Sequence, residues 1–127
     1  MKKKKSPYER LATLTLDNVM PRIGLPPLRH TMSFKKHELG LYSLRMRTFK
    51  QSGTTCVGCG ANASYFAVER HRNGDTAKYH LNLYGIINDK EVMFTCDHVV
   101  ARSKGGANDL TNTQTMCITC NSNKADK

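Results

Sequence analysis

No stretch of this 127-residue chain stays apolar for as long as about 18 residues, so it offers no helix able to span a bilayer. Nor does a continuous apolar segment follow the basic start MKKKKSPYER. LATLTLDNVM is interrupted by Thr, Asp and Asn, which argues against a secretory leader. The expectation is an intracellular chain with no membrane-bound part. Acidic residues are scarce: 10 Asp and Glu stand against 20 Lys and Arg, a formal net charge of +10. The deficit falls on one half. Residues 1–60 hold 12 basic side chains against 3 acidic, whereas residues 61–127 hold 8 against 7. A cationic half of that strength points to a polyanionic partner, most simply nucleic acid. The plainer alternative is a solvated tail that only aids solubility. Length is also lacking. The chain has room for one small domain with an arm, and a structural metal would supplement its modest core. No internal repeat is present.

What the chain does have is cysteine in an odd number. Of 5, four fall in two C-x-x-C pairs, Cys56/Cys59 and Cys117/Cys120, and Cys96 stands alone. A single C-x-x-C is equally a redox motif. Two of them in an apparently intracellular chain favour a tetrahedral four-thiolate zinc site, with all four positions filled by protein and none left for water. Gly58 and Gly60 permit the tight turn that points backbone N–H groups at sulfur. Such an ion clips distant parts of a small chain together, so its binding couples to folding. Cys96 is expected to be a small buried apolar residue.

The chain divides into a basic, flexible arm over residues 1–36 and a small α+β domain over 37–127. Four lysines followed by Ser-Pro cannot build a core, and Pro21, Pro26 and Pro27 interrupt any long helix. Leu39, Tyr42, Met46 and Phe49 recur at helical spacing, which predicts a helix over 37–51 with Ser33 as a candidate N-cap and Gly53 as its stop. Arg45 and Arg47 lie off that apolar stripe. They are candidates for DNA contact, or for an ordinary solvated face. SYFAVERH, AKYHLNLYG and EVMFTCDHV alternate, with turn signals between them, and predict three antiparallel strands. His30, His37, His71 and His80 carry no motif and read as exposed or locally hydrogen-bonded.

The third strand delivers Asp97 and His98 to its end. A loop from Arg102 to Asp109 follows, sharpest at Gly105-Gly106. A returning strand over 111–117 comes next, and a short helix over 118–126 carries Asn121 and Lys124 on one face. Phosphodiester hydrolysis needs an activated water, a cation on the transition state and help for the leaving oxygen. A neutral imidazole suits the first task near neutral pH, which makes His98 the candidate base. Hard oxygen ligands suit Mg²⁺ or Mn²⁺, and Asp97 and Asn121 can supply a carboxylate and an amide oxygen. Arg102, Lys104 and Lys124 could contact phosphate or simply be solvated.

The run Asp97-His98, then Ser103-Lys104-Gly105-Gly106, Asn112, and Cys117-x-x-Cys120-Asn121-x-x-Lys124 resembles the HNH endonuclease family, in its four-cysteine zinc subgroup. The resemblance implies a ββα-metal core over 92–126, with zinc knuckles at 56–59 and 117–120. It implies that His98 is the general base and that Asp97 and Asn121 hold the catalytic divalent ion. Asn112 would brace the loop and help to orient the base. A single-metal cleavage of DNA to 5′-phosphate and 3′-hydroxyl ends is likewise implied. Two positions depart from the family's pattern: the third signature residue is Asn rather than His, and Ala101 stands where Pro is frequent. The alternative from another class is a zinc-stabilised, non-catalytic nucleic-acid-binding module. The basic half and the four cysteines fit both readings; the Asp97-His98 pair with Asn121 favours the enzyme.

Overall fold

A computed structural model describes residues 6–24, 30–73 and 77–125. Five antiparallel strands form the main sheet in the order β1-β4-β5-β6-β7: β1 (Tyr8–Thr15), β4 (Tyr65–His71), β5 (His80–Ile87), β6 (Lys90–His98) and β7 (Thr113–Cys117). A separate hairpin joins β2 (Thr31–Phe34) to β3 (His37–Gly40). Three α-helices, α1 (Leu16–Val19), α2 (Leu44–Ser52) and α3 (Ile118–Ala125), and three short 3₁₀ turns complete the described fold. None of them is long and apolar enough to cross a membrane.

The three strands expected from alternation are β4, β5 and β6. The two-residue turn between β5 and β6 is Asn88-Asp89, with φ of 53° and 63°, a left-handed pair whose twist matches a hairpin. Alternation places Phe66, Val68, Leu81, Leu83 and Phe94 on one face, all buried, and α2 packs its Met46 and Phe49 over them. Each of these large side chains contributes roughly 1.5–3 kcal/mol by leaving water.

Two expectations are corrected. Residues 8–15 are not part of a loose arm: they pair with β4 from Tyr8↔His71 to Thr15↔Tyr65, with a bulge between Arg10 and Ala12. The strand is retained because Leu14 joins the core and Arg10 reaches a buried carboxylate, Glu69, on β4. Residues 1–5 and 25–29 of the proposed arm lie outside the described residues. The stretch expected as one helix over 37–51 contains strand β3 and then α2, which begins only at Leu44. Leu39 is buried from the strand, whereas Met46 and Phe49 are buried from the helix, so the apparent single stripe spans two elements. Ser43, not Ser33, caps α2 by accepting from the Met46 N–H at 3.2 Å. The helix stops at Gly53, whose φ of 90° needs a glycine.

The C-terminal order strand, loop, strand, helix is β6, a loop from Val99 to Asp109, a short 3₁₀ turn over Leu110–Asn112, β7 and α3. β7 pairs with β6 from Phe94↔Cys117 to His98↔Thr113, and α3 packs back on both strands.

Candidate active site

Asp97 and His98 are the last residues of β6, so their side chains leave opposite faces of the strand. Both nevertheless line one cleft. The cleft has a volume of about 770 Å³, and Asn121, Lys124, Arg102 and Lys104 also line it. The tertiary structure thus gathers three of the four expected catalytic residues and three of the expected phosphate contacts around one opening.

Asp97 is buried. Its Oδ2 accepts from Lys124 Nζ at 2.7 Å and from Gln114 Nε2 at 3.0 Å. Asp97 Oδ1 has no hydrogen-bond partner among the described residues, and it is not sealed from solvent. Asn121 donates Nδ2 to Thr95 Oγ1 at 2.9 Å, which turns its amide oxygen away from that bond. His98 Nε2 meets Asn108 Oδ1 at 2.8 Å, and Nδ1 makes no hydrogen bond among the described residues. A carboxylate oxygen, an amide oxygen and an imidazole nitrogen therefore remain available at the cleft.

Asn112 lies behind the cleft, buried, and its side chain clamps the loop. Oδ1 accepts from the Val100 N–H at 2.9 Å; Nδ2 donates to the carbonyls of Val100 at 2.9 Å and Ala107 at 2.8 Å. The loop closes so tightly that a Cβ on Gly106 would stand 1.8 Å from the Val100 carbonyl oxygen, so only glycine fits there.

The expected phosphate contacts separate. Arg102 and Lys104 are exposed at the rim, with no ion pair among the described residues. Lys124 is exposed too, but its ammonium is engaged: besides Asp97 it donates to the His98 carbonyl at 2.9 Å and the Val99 carbonyl at 3.3 Å. Arg45 and Arg47 are not at this cleft. The β5–β6 ladder ends at Leu83↔Phe94, and Arg45 donates to the Leu81 carbonyl at 2.6 Å and Asn82 Oδ1 at 2.9 Å beyond that end. Burial holds the Arg45 guanidinium below its usual value, as befits a side chain turned into the fold. Arg47 lies over the Tyr42 ring and donates to the Tyr42 carbonyl at 2.9 Å.

Cys56, Cys59, Cys117 and Cys120 bring their sulfurs within 4.8 Å of one another. A tetrahedral zinc ion at about 2.3 Å from each sulfur would space them roughly 3.8 Å apart, so the cluster is compatible with zinc. Cys56 Sγ accepts from the backbone N–H groups of Gly58 and Cys117, each at 3.3 Å. Burial raises the Cys56 thiol, but these N–H groups and that of Cys59 outweigh it and bring it down to about 6. Cys120 is pushed up to about 12, first by its contact with Cys117 and then by burial. Four crowded thiols resist ionising together, and a divalent cation removes that conflict. The cluster ties the loop after α2 to the β7–α3 junction, and so sets where α3 carries Asn121. Cys96 is half-buried rather than in the core, with its sulfur 3.4 Å from the Thr48 hydroxyl.

Three residues that touch the site carry no motif of their own: Gln114, Thr95 and Asn108. Gln114 and Thr95 become visible once the β6–β7 register is known, because Gln114 stands opposite Asp97 and Thr95 opposite Met116 beneath α3. Asn108 has only one sequence signal, its place just beyond the tight Gly105-Gly106 bend. Residues 85–127 match the family model described as HNH endonuclease. No curated protein and no solved structure matches the chain. The matched segment holds Asp97, His98, Asn112, Asn121 and the second cysteine pair, and the first pair folds onto it from outside. HNH domains are generally nucleases that bind nucleic acid. The C-terminal third of this chain is therefore similar to the HNH endonuclease family, and the four-thiol cluster beside it is compatible with zinc.

Proposed function

We propose that the chain is a metal-dependent endonuclease that hydrolyses phosphodiester bonds in double-stranded DNA, leaving 5′-phosphate and 3′-hydroxyl ends. One observation carries this reading: Asp97 Oδ1, the Asn121 amide oxygen and His98 Nδ1, each without a hydrogen-bond partner among the described residues, belong to side chains lining one cleft. A pure binding module has no use for that combination.

The donor set fits a hard divalent cation, Mg²⁺ or Mn²⁺. The Lys124 ammonium already rests among three oxygens here, so the environment accepts positive charge. Asp97 and Asn121 would hold the ion, which when bound polarises a phosphoryl oxygen and stabilises the leaving 3′ oxygen. His98 takes a proton from the attacking water at Nδ1. Gln114 and Lys124 hold the Asp97 carboxylate in one orientation, and Asn112 keeps the loop closed beside His98. Arg102 and Lys104 grip phosphates at the rim, where an exposed cation contributes affinity that salt weakens. The four cysteines bind zinc in a structural role.

Supercoiled plasmid with Mg²⁺ or Mn²⁺ tests the reading, with His98→Ala as control. The wild-type chain is expected to convert it to nicked or linear form. His98→Ala should shift its mobility without cutting it. If wild type and variant both retard the plasmid and neither cuts it, the non-catalytic binding module is the correct reading.

A further inference from the structure

We infer that Asn108 is the residue that orients His98. On this assignment it holds the ring hydrogen on Nε2 and leaves Nδ1 bare to accept the proton of the attacking water. The inference rests on the nuclease reading for its consequence, but its structural content stands apart from cleavage. The resemblance to the HNH family assigns help with orientation to Asn112, and the geometry does not place Asn112 in contact with the ring. All three of its side-chain hydrogen bonds go to loop backbone, at Val100 N–H, Val100 carbonyl and Ala107 carbonyl. The side-chain partner of the imidazole among the described residues is Asn108, whose Oδ1 lies 2.8 Å from Nε2.

An amide oxygen has no hydrogen to give, so the nitrogen facing it must carry one. That fixes the tautomer of a neutral ring and its rotation about Cβ–Cγ together. Without such a partner, a half-buried imidazole at a strand end samples both tautomers and several rotamers, and only some of them present a lone pair to water. Asn112 then acts at one remove. It pins the carbonyl of Ala107, the residue immediately before Asn108, and Gly106 allows the loop to approach Val100 closely enough for that bond. The order of support runs from Asn112 to the Ala107 backbone, to the Asn108 side chain, to His98. Asn108 is a positioning residue, which acts through the His98 ring.

The test uses the full zinc-loaded chain with ¹⁵N-labelled histidine, as wild type, Asn108→Ala and Asn108→Asp. The His98 ring nitrogens are assigned by the signals lost in His98→Ala. Spectra are taken at about pH 8.5, well above the ordinary imidazole value of about 6.5. Wild type should show a protonated Nε2 and a bare Nδ1. Asn108→Asp keeps an acceptor and should keep that pattern, whereas Asn108→Ala should show a mixture of tautomers. In the plasmid assay Asn108→Ala should lose roughly tenfold or more in kcat with KM little changed, and Asn108→Asp should retain most of the rate. A wild-type ring protonated on Nδ1, or an Asn108→Ala ring indistinguishable from wild type, overturns the assignment. A wild-type chain that shows the expected ring pattern but cuts nothing leaves Asn108 in its role and overturns the nuclease reading instead.

Discussion

Arg10 Nε donates to Glu69 Oε2 at 2.8 Å, joining the first strand of the chain to the carboxylate of a residue only 1% exposed. Asn82 and Tyr84 also donate to Glu69, at 2.8 and 2.6 Å, but Arg10 supplies the only charge that neutralises it among the described residues. Arg10→Met should therefore leave a buried carboxylate without its counterion and cost about 2–3 kcal/mol, the lower side of the usual range because the guanidinium is partly solvated. Urea unfolding measures this. Adding Glu69→Gln to Arg10→Met should recover part of the loss, and a single variant that melts with wild type would remove the first strand from the stability argument.

The same guanidinium makes two hydrogen bonds to Glu91, at 2.9 and 2.7 Å, and these hold the Glu91 carboxyl below its ordinary value. Tyr65 adds a further donor to Glu91. A carboxyl lowered on folding stabilises the fold at pH above its unfolded value, and that contribution fades as pH falls through the folded one. Glu91→Gln should accordingly melt below wild type near neutral pH, and the gap should close as the solution is taken below about pH 4. Thermal melts across that range check the sign; a gap that widens on acidification contradicts it.

Zinc content should be near one ion per chain, and a strong chelator should unfold the C-terminal region rather than merely inactivate it. Gly58→Ala tests the knuckle itself. Its Cβ would stand 3.0 Å from both Cβ and Sγ of Cys120, so the Cys120 ligand must give by a few tenths of an ångström to admit it. We expect at least a tenfold loss of zinc affinity, about 1.4 kcal/mol, read by competition with a chromophoric chelator. Cys96→Ser should leave zinc content unchanged, because the four ligands lie elsewhere.

Gly106→Ala should spoil the cleft without unfolding the sheet. The new methyl meets the Val100 carbonyl, so the loop must move by an ångström or more, and Asn108 moves with it. A displacement of that size at a catalytic group costs on the order of a hundredfold in rate. Asn112→Ala releases the same loop from the other side. The two effects should combine to less than their sum, since both act through one loop position. Plasmid cleavage gives the rates, and far-ultraviolet circular dichroism with zinc content confirms that the fold is kept.

The parts of this protein legible in the amino-acid order are those whose chemistry is local. Two C-x-x-C knuckles, the Asp97-His98 pair at the end of an alternating strand, the Asn88-Asp89 turn and the Gly53 helix stop each follow from spacing within a few residues. The sheet's long-range pairing decided the rest. Alternation alone could not show that Tyr8–Thr15 would find β4 as a partner, since Arg10 is explained only by a carboxylate 59 residues away. The helical stripe over 37–51 failed because Leu39 and Phe49 reach one core from two different elements. Lysine and arginine identity likewise said nothing of direction: Arg45 turns into the fold where β5 stops pairing with β6 beyond Leu83, and Lys124 engages Asp97 because α3 folds back on β6. Composition and spacing selected the chemical groups. Strand register and the closing of one loop decided which oxygen and which nitrogen of those groups were left unpaired at the cleft, because a hydrogen bond depends on position in space and not on order along the chain.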